Sequence, residues 1–171
     1  MLRYLAYGSN LHPGRLRIRA PSAQEIGTVS LPGWLIRFHK RSTKDGSAKA
    51  NMVQTASSSN LVYGAVFTML ESDKEVLDEY EGLGNGYDQH ELDLPGYGRV
   101  ITYLAADTHI DENLKPFVWY KNLILSGAMF HGFPMRYVDM LSNIPAIDDP
   151  DSARRNGNQA ILNSFIDEFG L

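Results

Sequence analysis

Strand patterns dominate the chain before residue 106, and helical patterns dominate after it. The candidate strands are apolar or β-branched runs, at residues 2–7, 28–31, 34–38, 61–70 and 100–105, with 52–54 as a weaker pairing segment. The candidate helices are 13–18, a short one ending at Glu81, a long one from 114 to the stop at Gly132 and Pro134, then 135–143 and 152–169. Because strands and helices do not alternate regularly, the order predicts an α+β protein with a mixed or antiparallel sheet.

The length of the chain fits one domain. With 171 residues it is long enough to bury a core without a metal or a disulfide, so we expect a single domain over 1–171. No apolar stretch approaches the ~20 residues of a membrane-spanning helix, and no secretion signal opens the sequence. We therefore expect a cytoplasmic protein that does not enter a membrane.

Composition excludes several kinds of site. The chain has no cysteine, which excludes disulfides, thiolate nucleophiles and cysteine-ligated metals. Its five histidines are scattered and show no metal-ligand spacing, so we expect no metal and no cofactor. A net charge of −4 argues against a nucleic-acid partner.

A local excess of positive charge marks the first third of the chain. The basic residues are Arg15, Arg17, Arg19, Arg37, Lys40, Arg41 and Lys44. This bias suits a small acidic ligand, and a solvated basic face is at least as good an interpretation for most of these residues. Pairing with a substrate carboxylate is one interpretation of Arg15 and Arg19, and an exposed structural role is the simpler expectation.

The string Tyr7-Gly8-Ser9-Asn10-Leu11 follows the first candidate strand directly. A glycine-containing turn at this place leaves successive backbone N–H groups open toward a ligand. Such groups can hold a carboxylate or a developing oxyanion. An ordinary turn fits the same residues equally well.

Signals at both ends define the short helix near the middle of the chain. Ser72 followed by Glu75 forms a capping box that predicts the start of the helix, and Gly82 predicts its end. The periodicity predicts a buried face made of Val76, Leu77 and Tyr80.

This helix carries a second string, Leu77-Asp78-Glu79-Tyr80-Glu81-Gly82, with a carboxylate at its last position. The helix C-terminus has partial negative charge, and Asp78 lies one turn back, so both effects oppose ionisation of Glu81. They should raise the affinity of Glu81 for a proton. Such a carboxylate is suited to carrying protons near neutral pH.

The two strings, in this order, resemble the gamma-glutamylcyclotransferase-like family. The resemblance extends to residues 116–121 and 127–134, which look like the late helix of the family and the turn after it, and covers about residues 4–141. It implies a mixed, barrel-like sheet surrounded by helices. It also implies an enzyme that turns a gamma-glutamyl compound into 5-oxoproline and a free amine, by attack of the substrate's own α-amino group on its γ-carbonyl.

The resemblance assigns roles to particular residues. Glu81 matches the general acid/base of the family. The residues that match substrate contacts are Tyr4, Leu5, Ala6, Tyr7, Gly8, Ser9, Asn10 and Tyr120. For Tyr120, a core aromatic residue with its hydroxyl at the rim is an equally good interpretation. Asp88 stands where family members often have an aromatic residue, so the leaving-group side of the site is expected to differ.

Other functions fit parts of the sequence. A non-catalytic module that binds gamma-glutamyl or carboxylate ligands would need the turn but not Glu81, so the presence of Glu81 favours an enzyme. A serine hydrolase with Ser9 as nucleophile lacks the Gly-x-Ser-x-Gly elbow. The leaving amine stays open among an amino acid, the cysteinyl-glycine of glutathione, a lysine amine, a polyamine and a secondary metabolite. Both a monomer and a homodimer fit.

Overall fold

A computed structural model describes residues 1–169 and the side chains of residues 1–164. Within this range the strands are β1 (Leu2–Ala6), β2 (Gln24–Pro32), β3 (Trp34–Arg41), β4 (Ala48–Gln54), β5 (Leu61–Met69), β6 (Tyr87–Leu94) and β7 (Gly98–Ala105). The helices are α1 (Pro13–Arg19), α2 (Glu71–Glu81), α3 (Val118–Phe130), α4 (Met135–Ser142) and α5 (Ser152–Phe169), with short 3₁₀ turns at Ser9–Leu11 and Asp107–His109. None of the described helices is both long and apolar enough to cross a membrane.

A mixed five-stranded sheet forms the centre of the protein, in the order β2-β5-β1-β7-β6. Strand β1 lies in the middle, antiparallel to β5 and parallel to β7. The two-stranded ribbon β3-β4 lies beside the sheet, and the Ala105 N–H of β7 donates a hydrogen bond to Asn51 Oδ1 of β4 (2.9 Å). The predicted α+β class with a mixed, barrel-like sheet is confirmed, although the five-stranded sheet itself stays open.

The central position of β1 decides where the first motif lies. Tyr4, Leu5 and Ala6 are buried, as expected for a continuous apolar strand that is paired on both sides. Because β1 ends in the interior, the turn that follows it begins inside the protein and not at an edge of the sheet.

One strand carries no signal that the sequence analysis recognised. Most side chains of β6 are exposed, because β6 lies at the edge of the sheet and pairs only with β7. An edge strand with charged, exposed side chains lacks the apolar run or alternation that predicts a strand. Strand β4 also begins before the predicted segment 52–54, because the small residues Ala48 and Ala50 are buried there.

Helix α2 differs from its predicted start and matches its predicted end. It begins at Glu71, with Leu70 as the N-cap residue and no side-chain cap, so the capping box predicted at Ser72 is wrong. The Leu70 N–H donates to Ser22 Oγ (2.9 Å), and this tertiary contact replaces the local cap. At the other end, Gly82 has φ 70° and ψ 50°, the left-handed conformation typical of a helix-ending glycine.

Only one of the three residues predicted to form the buried face of α2 is buried. Leu77 is fully buried, whereas Val76 is 44% and Tyr80 is 42% exposed. The Tyr80 ring instead lies 4.9 Å from the Arg19 guanidinium and 5.6 Å from the Lys44 ammonium. These cation–π contacts place the ring at the rim of a cavity.

Helix α3 packs closely against the turn after β1. Its residues Leu123 and Ile124 are fully buried, and Gly127 faces the turn. A Cβ added to Gly127 would lie 2.5 Å from the carbonyl carbon of Leu11 and 2.7 Å from the nitrogen of His12. The helix and the turn therefore approach each other at a distance that only glycine allows.

We predict that Gly127→Ala destabilises the protein by about 1–3 kcal/mol, the usual cost of overpacking, because the new methyl group meets backbone atoms of the turn. The control is Gly157→Ala in α5, where an added Cβ meets nothing within 4 Å. This second variant should be neutral or slightly stabilising, since alanine favours a helix over glycine. Denaturant unfolding measures both. Equal stability of the two variants would contradict the close approach of α3 to the turn.

Asp149 fixes the start of α5 against α3. Its buried carboxylate accepts hydrogen bonds from Arg154 Nε (2.7 Å) and Nη2 (2.6 Å), from Trp119 Nε1 (2.8 Å) and from the Asp151 backbone N–H (2.9 Å). These hydrogen bonds, with those from Arg154 first, lower the pKa of Asp149 to about 2. The ionised form of Asp149 is therefore the form that stabilises the fold.

Because the pKa of Asp149 is lowered to about 2 in the folded chain, its stabilising effect is complete above the pKa of an unfolded aspartate, ~4, and is lost as the pH falls toward 2. We predict that Asp149→Asn is less stable than wild type at pH 7 and that this gap narrows as the pH falls below ~4. Asp148→Asn removes an exposed neighbouring carboxylate and should leave stability almost unchanged. Urea unfolding at several pH values measures the gap. A gap that stays constant into the acid range would exclude the role of the charge.

Candidate active site

Two adjacent cavities lie where β1 ends. The larger has a volume of about 330 Å³ and the smaller about 30 Å³. Both are bordered by Ser9, Glu81, Tyr87 and Tyr120. The predicted acid/base and the predicted turn therefore lie at one site.

Glu81 lies between the cavities, where the left-handed Gly82 ends α2. Its Oε1 accepts one hydrogen bond from Asn10 Nδ2 (3.0 Å) and one from Arg19 Nη1 (2.9 Å). The side chains of Arg19 and Glu81 are only 12% and 15% exposed. Within the described part of the chain, Oε2 of Glu81 has no hydrogen-bond partner. One carboxylate oxygen is thus fixed, and the other is left for a ligand.

Asn10 connects the elements that hold this carboxylate. Its Nδ2 also donates to the Tyr4 hydroxyl (2.9 Å), and its Oδ1 accepts from Arg19 Nη1 (2.9 Å). Burial raises the pKa of the Tyr4 hydroxyl, and the nearby Glu81 carboxylate raises it further. Tyr4 therefore stays neutral, and the Asn10 side chain acts as a positioning group for Glu81.

The turn after β1 is the short 3₁₀ segment Ser9–Leu11. The Leu11 N–H donates back to the Gly8 carbonyl (2.9 Å). Among the described residues, the N–H groups of Gly8, Ser9 and Asn10 have no acceptor. Three successive donors at a turn are available for a carboxylate or an oxyanion.

Gly8 contributes through its size. Its φ is −104°, a sign of φ that other residues also adopt, so the backbone alone does not demand glycine there. A Cβ added to Gly8 would lie 3.6 Å from Ala50 Cβ and 3.7 Å from the Tyr120 hydroxyl, at ordinary contact distance. The missing side chain leaves that space to the smaller cavity.

Asp78, one turn before Glu81, has hydrogen-bond partners of its own. Its two oxygens accept hydrogen bonds from the Tyr103 hydroxyl (2.6 Å) and from Lys74 Nζ (2.5 Å). Burial raises the pKa of the Tyr103 hydroxyl, and its hydrogen bond to Asp78 adds to this effect. The Lys74 ammonium balances the charge of Asp78, while Arg19 brings a positive charge to Glu81. The structure therefore adds a positive charge beside Glu81 that the sequence did not reveal.

The structure brings most of the predicted site residues together. The smaller cavity is bordered by Glu81 and by six of the predicted substrate contacts, Tyr4, Tyr7, Gly8, Ser9, Asn10 and Tyr120. Leu5 and Ala6 border neither cavity, and their side chains are fully buried in the sheet. For these two residues only backbone atoms are left to act in the site, and substrate contact stays a prediction for all eight.

Tyr120 combines both of its sequence interpretations. Its side chain is buried in the core, and its hydroxyl accepts a hydrogen bond from the Ala50 N–H (3.0 Å). The residue nevertheless borders both cavities. A core position and a place at the site are therefore compatible.

Two arginines of α1 lie at the site. Arg15 and Arg19 were expected to be exposed, but both border the larger cavity, and Arg19 contacts Glu81 directly, so that expectation is wrong. The two residues are four positions apart on one helix and therefore share a face. This spacing, directly after the turn, is the signal that points to the site.

Strand β6 supplies another group that the sequence did not reveal. Tyr87 borders both cavities, whereas its neighbour Asp88 is exposed and borders neither. The alternation of side chains along a strand sends the two residues to opposite faces. Asp88 therefore lines neither cavity, and Tyr87 contributes an aromatic ring to both.

These features define a class of protein. A fixed carboxylate beside a turn of open N–H groups, in a cavity of small-molecule size, is typical of an enzyme that moves protons on a small acidic substrate. Within the described residues, no group of three or more histidine, aspartate or glutamate side chains is placed to hold a metal ion.

Comparison with known proteins identifies the family. The model of the AIG2-like family matches residues 61–141. The gamma-glutamylcyclotransferase of Bos taurus is 30% identical over 149 residues, which are 85% of this chain and 79% of the bovine protein. The Homo sapiens protein of the same name is 31% identical over 149 residues, with the same coverage. A solved structure of a gamma-glutamyl cyclotransferase superposes with a TM-score of 0.78 at 26% identity, over 93% of this chain and 98% of that chain.

This chain belongs to the gamma-glutamylcyclotransferase family. The family and the kind of enzyme predicted from the sequence are therefore confirmed. The span matched by the AIG2-like model includes α2 and Glu81.

Proposed function

We propose that this protein releases 5-oxoproline and a free amine from a gamma-glutamyl compound, with Glu81 as general acid/base. The observation that carries the proposal is that Glu81 lies beside the open N–H groups of residues 8–10. One oxygen of its carboxylate is fixed by hydrogen bonds, and the other has no partner among the described residues. The relatives that bear the name gamma-glutamylcyclotransferase support it.

The proposed reaction is an intramolecular acyl transfer. The α-amino nitrogen of the substrate attacks its own γ-carbonyl carbon, the new C–N bond closes a five-membered ring, and the bond to the leaving nitrogen breaks. The α-ammonium gives up two protons as it becomes the lactam N–H, and the leaving nitrogen takes up two as it becomes an ammonium. Because the nucleophile and the electrophile belong to one molecule, the protein must mainly fold the substrate and move protons.

Glu81 is the residue assigned to these proton transfers. Its Oε2 accepts a proton from the α-ammonium and returns it to the leaving nitrogen, while Asn10 and Arg19 keep Oε1 in place. Both nitrogens are bonded to the same carbon in the tetrahedral intermediate. One carboxylate can therefore serve both directions of transfer.

The turn supplies the electrostatic part of the mechanism. The smaller cavity, about 30 Å³, is close to the space of one water molecule, so it suits a single oxygen of a carboxylate or oxyanion beside the N–H groups of Gly8, Ser9 and Asn10. The larger cavity takes the remainder of the substrate. Charge that develops on the γ-carbonyl oxygen is then met by donors that are already oriented.

The alternative function is a non-catalytic module that binds gamma-glutamyl or carboxylate ligands through the turn. The precise positioning of Glu81 by Asn10 and Arg19 does not favour it, because ligand capture by the turn needs no proton carrier. The cytoplasmic location and the monomeric or homodimeric state stay predictions from the sequence.

We predict that Glu81→Gln lowers kcat by ~100-fold or more while the fold is kept, because the amide preserves the shape of the side chain but cannot carry a proton. The matched control is Glu79→Gln, which removes an exposed carboxylate from the same helix and should keep full activity. The measurement is 5-oxoproline formation from a panel of gamma-glutamyl compounds.

Near-normal turnover by Glu81→Gln would exclude Glu81 as the proton carrier. A wild-type protein that binds members of the panel but forms no 5-oxoproline would favour the non-catalytic module.

We predict that Gly8→Val reduces activity more strongly than Ser9→Ala. The methyl groups of valine would fill the space next to Ala50 and Tyr120, whereas alanine at position 9 keeps the backbone N–H. Steady-state kcat/KM of both variants gives the order, and unfolding midpoints check that each is folded. If Ser9→Ala abolishes activity and mass spectrometry detects an acyl adduct on wild-type Ser9, a serine nucleophile replaces the proposed mechanism.

A further inference from the structure

The larger cavity carries more positive charge than its own carboxylates balance. It is bordered by six cationic side chains, Arg15, Arg19, Lys40, Lys44, Lys49 and Arg154, and by two carboxylates, Asp45 and Glu81. Three of the cations form ion pairs at 2.6–2.9 Å, namely Arg19 with Glu81, Lys49 with Asp45, and Arg154 with Asp149. Within the described residues, Arg15, Lys40 and Lys44 have no carboxylate partner.

Lys40 is the most deeply placed of these three cations. Its residue is only 5% exposed, and its ammonium lies 4.5 Å from the centre of the Tyr87 ring. No described residue accepts a hydrogen bond from its Nζ. Burial lowers the pKa of Lys40; the negative charges of Glu81 and Asp45 oppose this shift, and the neighbouring Lys44 ammonium adds to it. A buried ammonium at a cavity wall without an acceptor is suited to an anion from the ligand.

The backbone makes room for this lysine. Gly86 has a φ of 130°, and a Cβ added there would lie 2.7 Å from Lys40 Nζ. Any larger residue at position 86 would push the ammonium from its place over the Tyr87 ring. The turn just before β6 therefore leaves room for the cation, which lies over Tyr87 at the start of that strand.

Arg15 lies on another wall of the cavity. Its guanidinium lies 5.7 Å from the Trp119 ring of α3, and its Nη1 donates to Asn158 Oδ1 of α5 (2.9 Å). Its Nε is buried and has no hydrogen-bond partner among the described residues. Lys44 lies on a third side, above the Tyr80 ring, and is exposed. Each of the three cations thus lies over an aromatic ring of a different element: Lys40 over Tyr87 of β6, Arg15 over Trp119 of α3 and Lys44 over Tyr80 of α2.

The charges of the proposed substrate can be assigned one by one. This step rests on the proposed function, in which the ammonium of the gamma-glutamyl group lies at Glu81 and its α-carboxylate and developing oxyanion lie at the N–H groups of the turn. With those groups placed, Arg15, Lys40 and Lys44 are left for the leaving amine. Because they lie over the rings of Trp119, Tyr87 and Tyr80 on different walls, they suit separate carboxylates better than one compact dianion such as a phosphate.

We propose that Lys40, Arg15 and Lys44 bind the leaving group, and that the preferred substrates are gamma-glutamyl compounds whose leaving amine carries two carboxylates. Lys40 is the main specificity-determining residue, because it is the buried one. A leaving amine without carboxylates would desolvate the ammonium of Lys40 further without giving it an acceptor.

The test compares L-gamma-glutamyl-L-glutamate, L-gamma-glutamyl-L-glutamine and gamma-glutamyl-butylamine. The first two are almost the same size and differ by one carboxylate. We expect kcat/KM for the glutamate compound to exceed that for the glutamine compound by ~10-fold or more, the usual scale of a hydrogen bond to a charged group. The butylamine compound should be the poorest, and the difference should lie mainly in KM.

Lys40→Met keeps the length of the side chain and removes its charge. It should erase most of the preference for the glutamate compound, by raising KM for that compound more than for the glutamine compound. Lys44→Met, at an exposed position, should reduce the preference in the same direction and does not depend on core packing. The control is Lys115→Met, an exposed lysine outside the larger cavity, which should change neither KM.

The outcomes separate the two proposals. If neither these three compounds nor any other gamma-glutamyl compound of the wider panel yields 5-oxoproline, the proposed function fails. If only other gamma-glutamyl compounds yield it, the inference is overturned while the proposed function stands. If all three compounds are turned over and the glutamine or butylamine compound is used as well as the glutamate compound, the inference is overturned while the proposed function stands. A preference that survives both Lys40→Met and Lys44→Met also overturns the inference.

Discussion

The architecture of the site depends on the two hydrogen bonds that meet at Oε1 of Glu81. They come from Asn10 and Arg19, which lie 71 and 62 positions earlier in the chain. The contact ties the end of α2 to the turn after β1 and to α1 at the same point. Removal of these donors would leave a partly buried carboxylate without its partners and would strongly destabilise the folded protein. The position of the proton carrier is therefore set by tertiary structure as much as by the helix that ends there.

The late helices shape the cavities without supplying the proton carrier. Gly127 lets α3 approach the turn, so the walls of the smaller cavity are fixed by direct packing against backbone. Asp149 anchors the start of α5, and the residues Arg154, Asn158 and Ile161 of that helix border the larger cavity. The chemistry and the shape of the site thus come from different parts of the chain.

Local signals explain what the sequence predicted correctly, and distant contacts explain the rest. The turn after β1 and the helix end at Gly82 depend on one or two residues and their immediate neighbours, so the two central motifs were predictable. The exposed edge strand β6 has no apolar pattern to detect. The start of α2 depends on Ser22, and the role of Arg19 depends on a residue far along the chain. Such contacts exist only after the elements pack, and the one local signal for them is the spacing of Arg15 and Arg19 directly after the turn.

The unmatched cations of the larger cavity also bear on the stability of the fold itself. Lys40 is a largely buried residue whose ammonium makes no hydrogen bond or ion pair with a described residue, and its burial costs free energy that the remaining core must offset. An anion that enters this cavity binds the folded chain and not the unfolded one, so mass action shifts the folding equilibrium toward the folded state. The melting temperature of this protein therefore depends on the kind and concentration of anions in the solution as well as on its sequence.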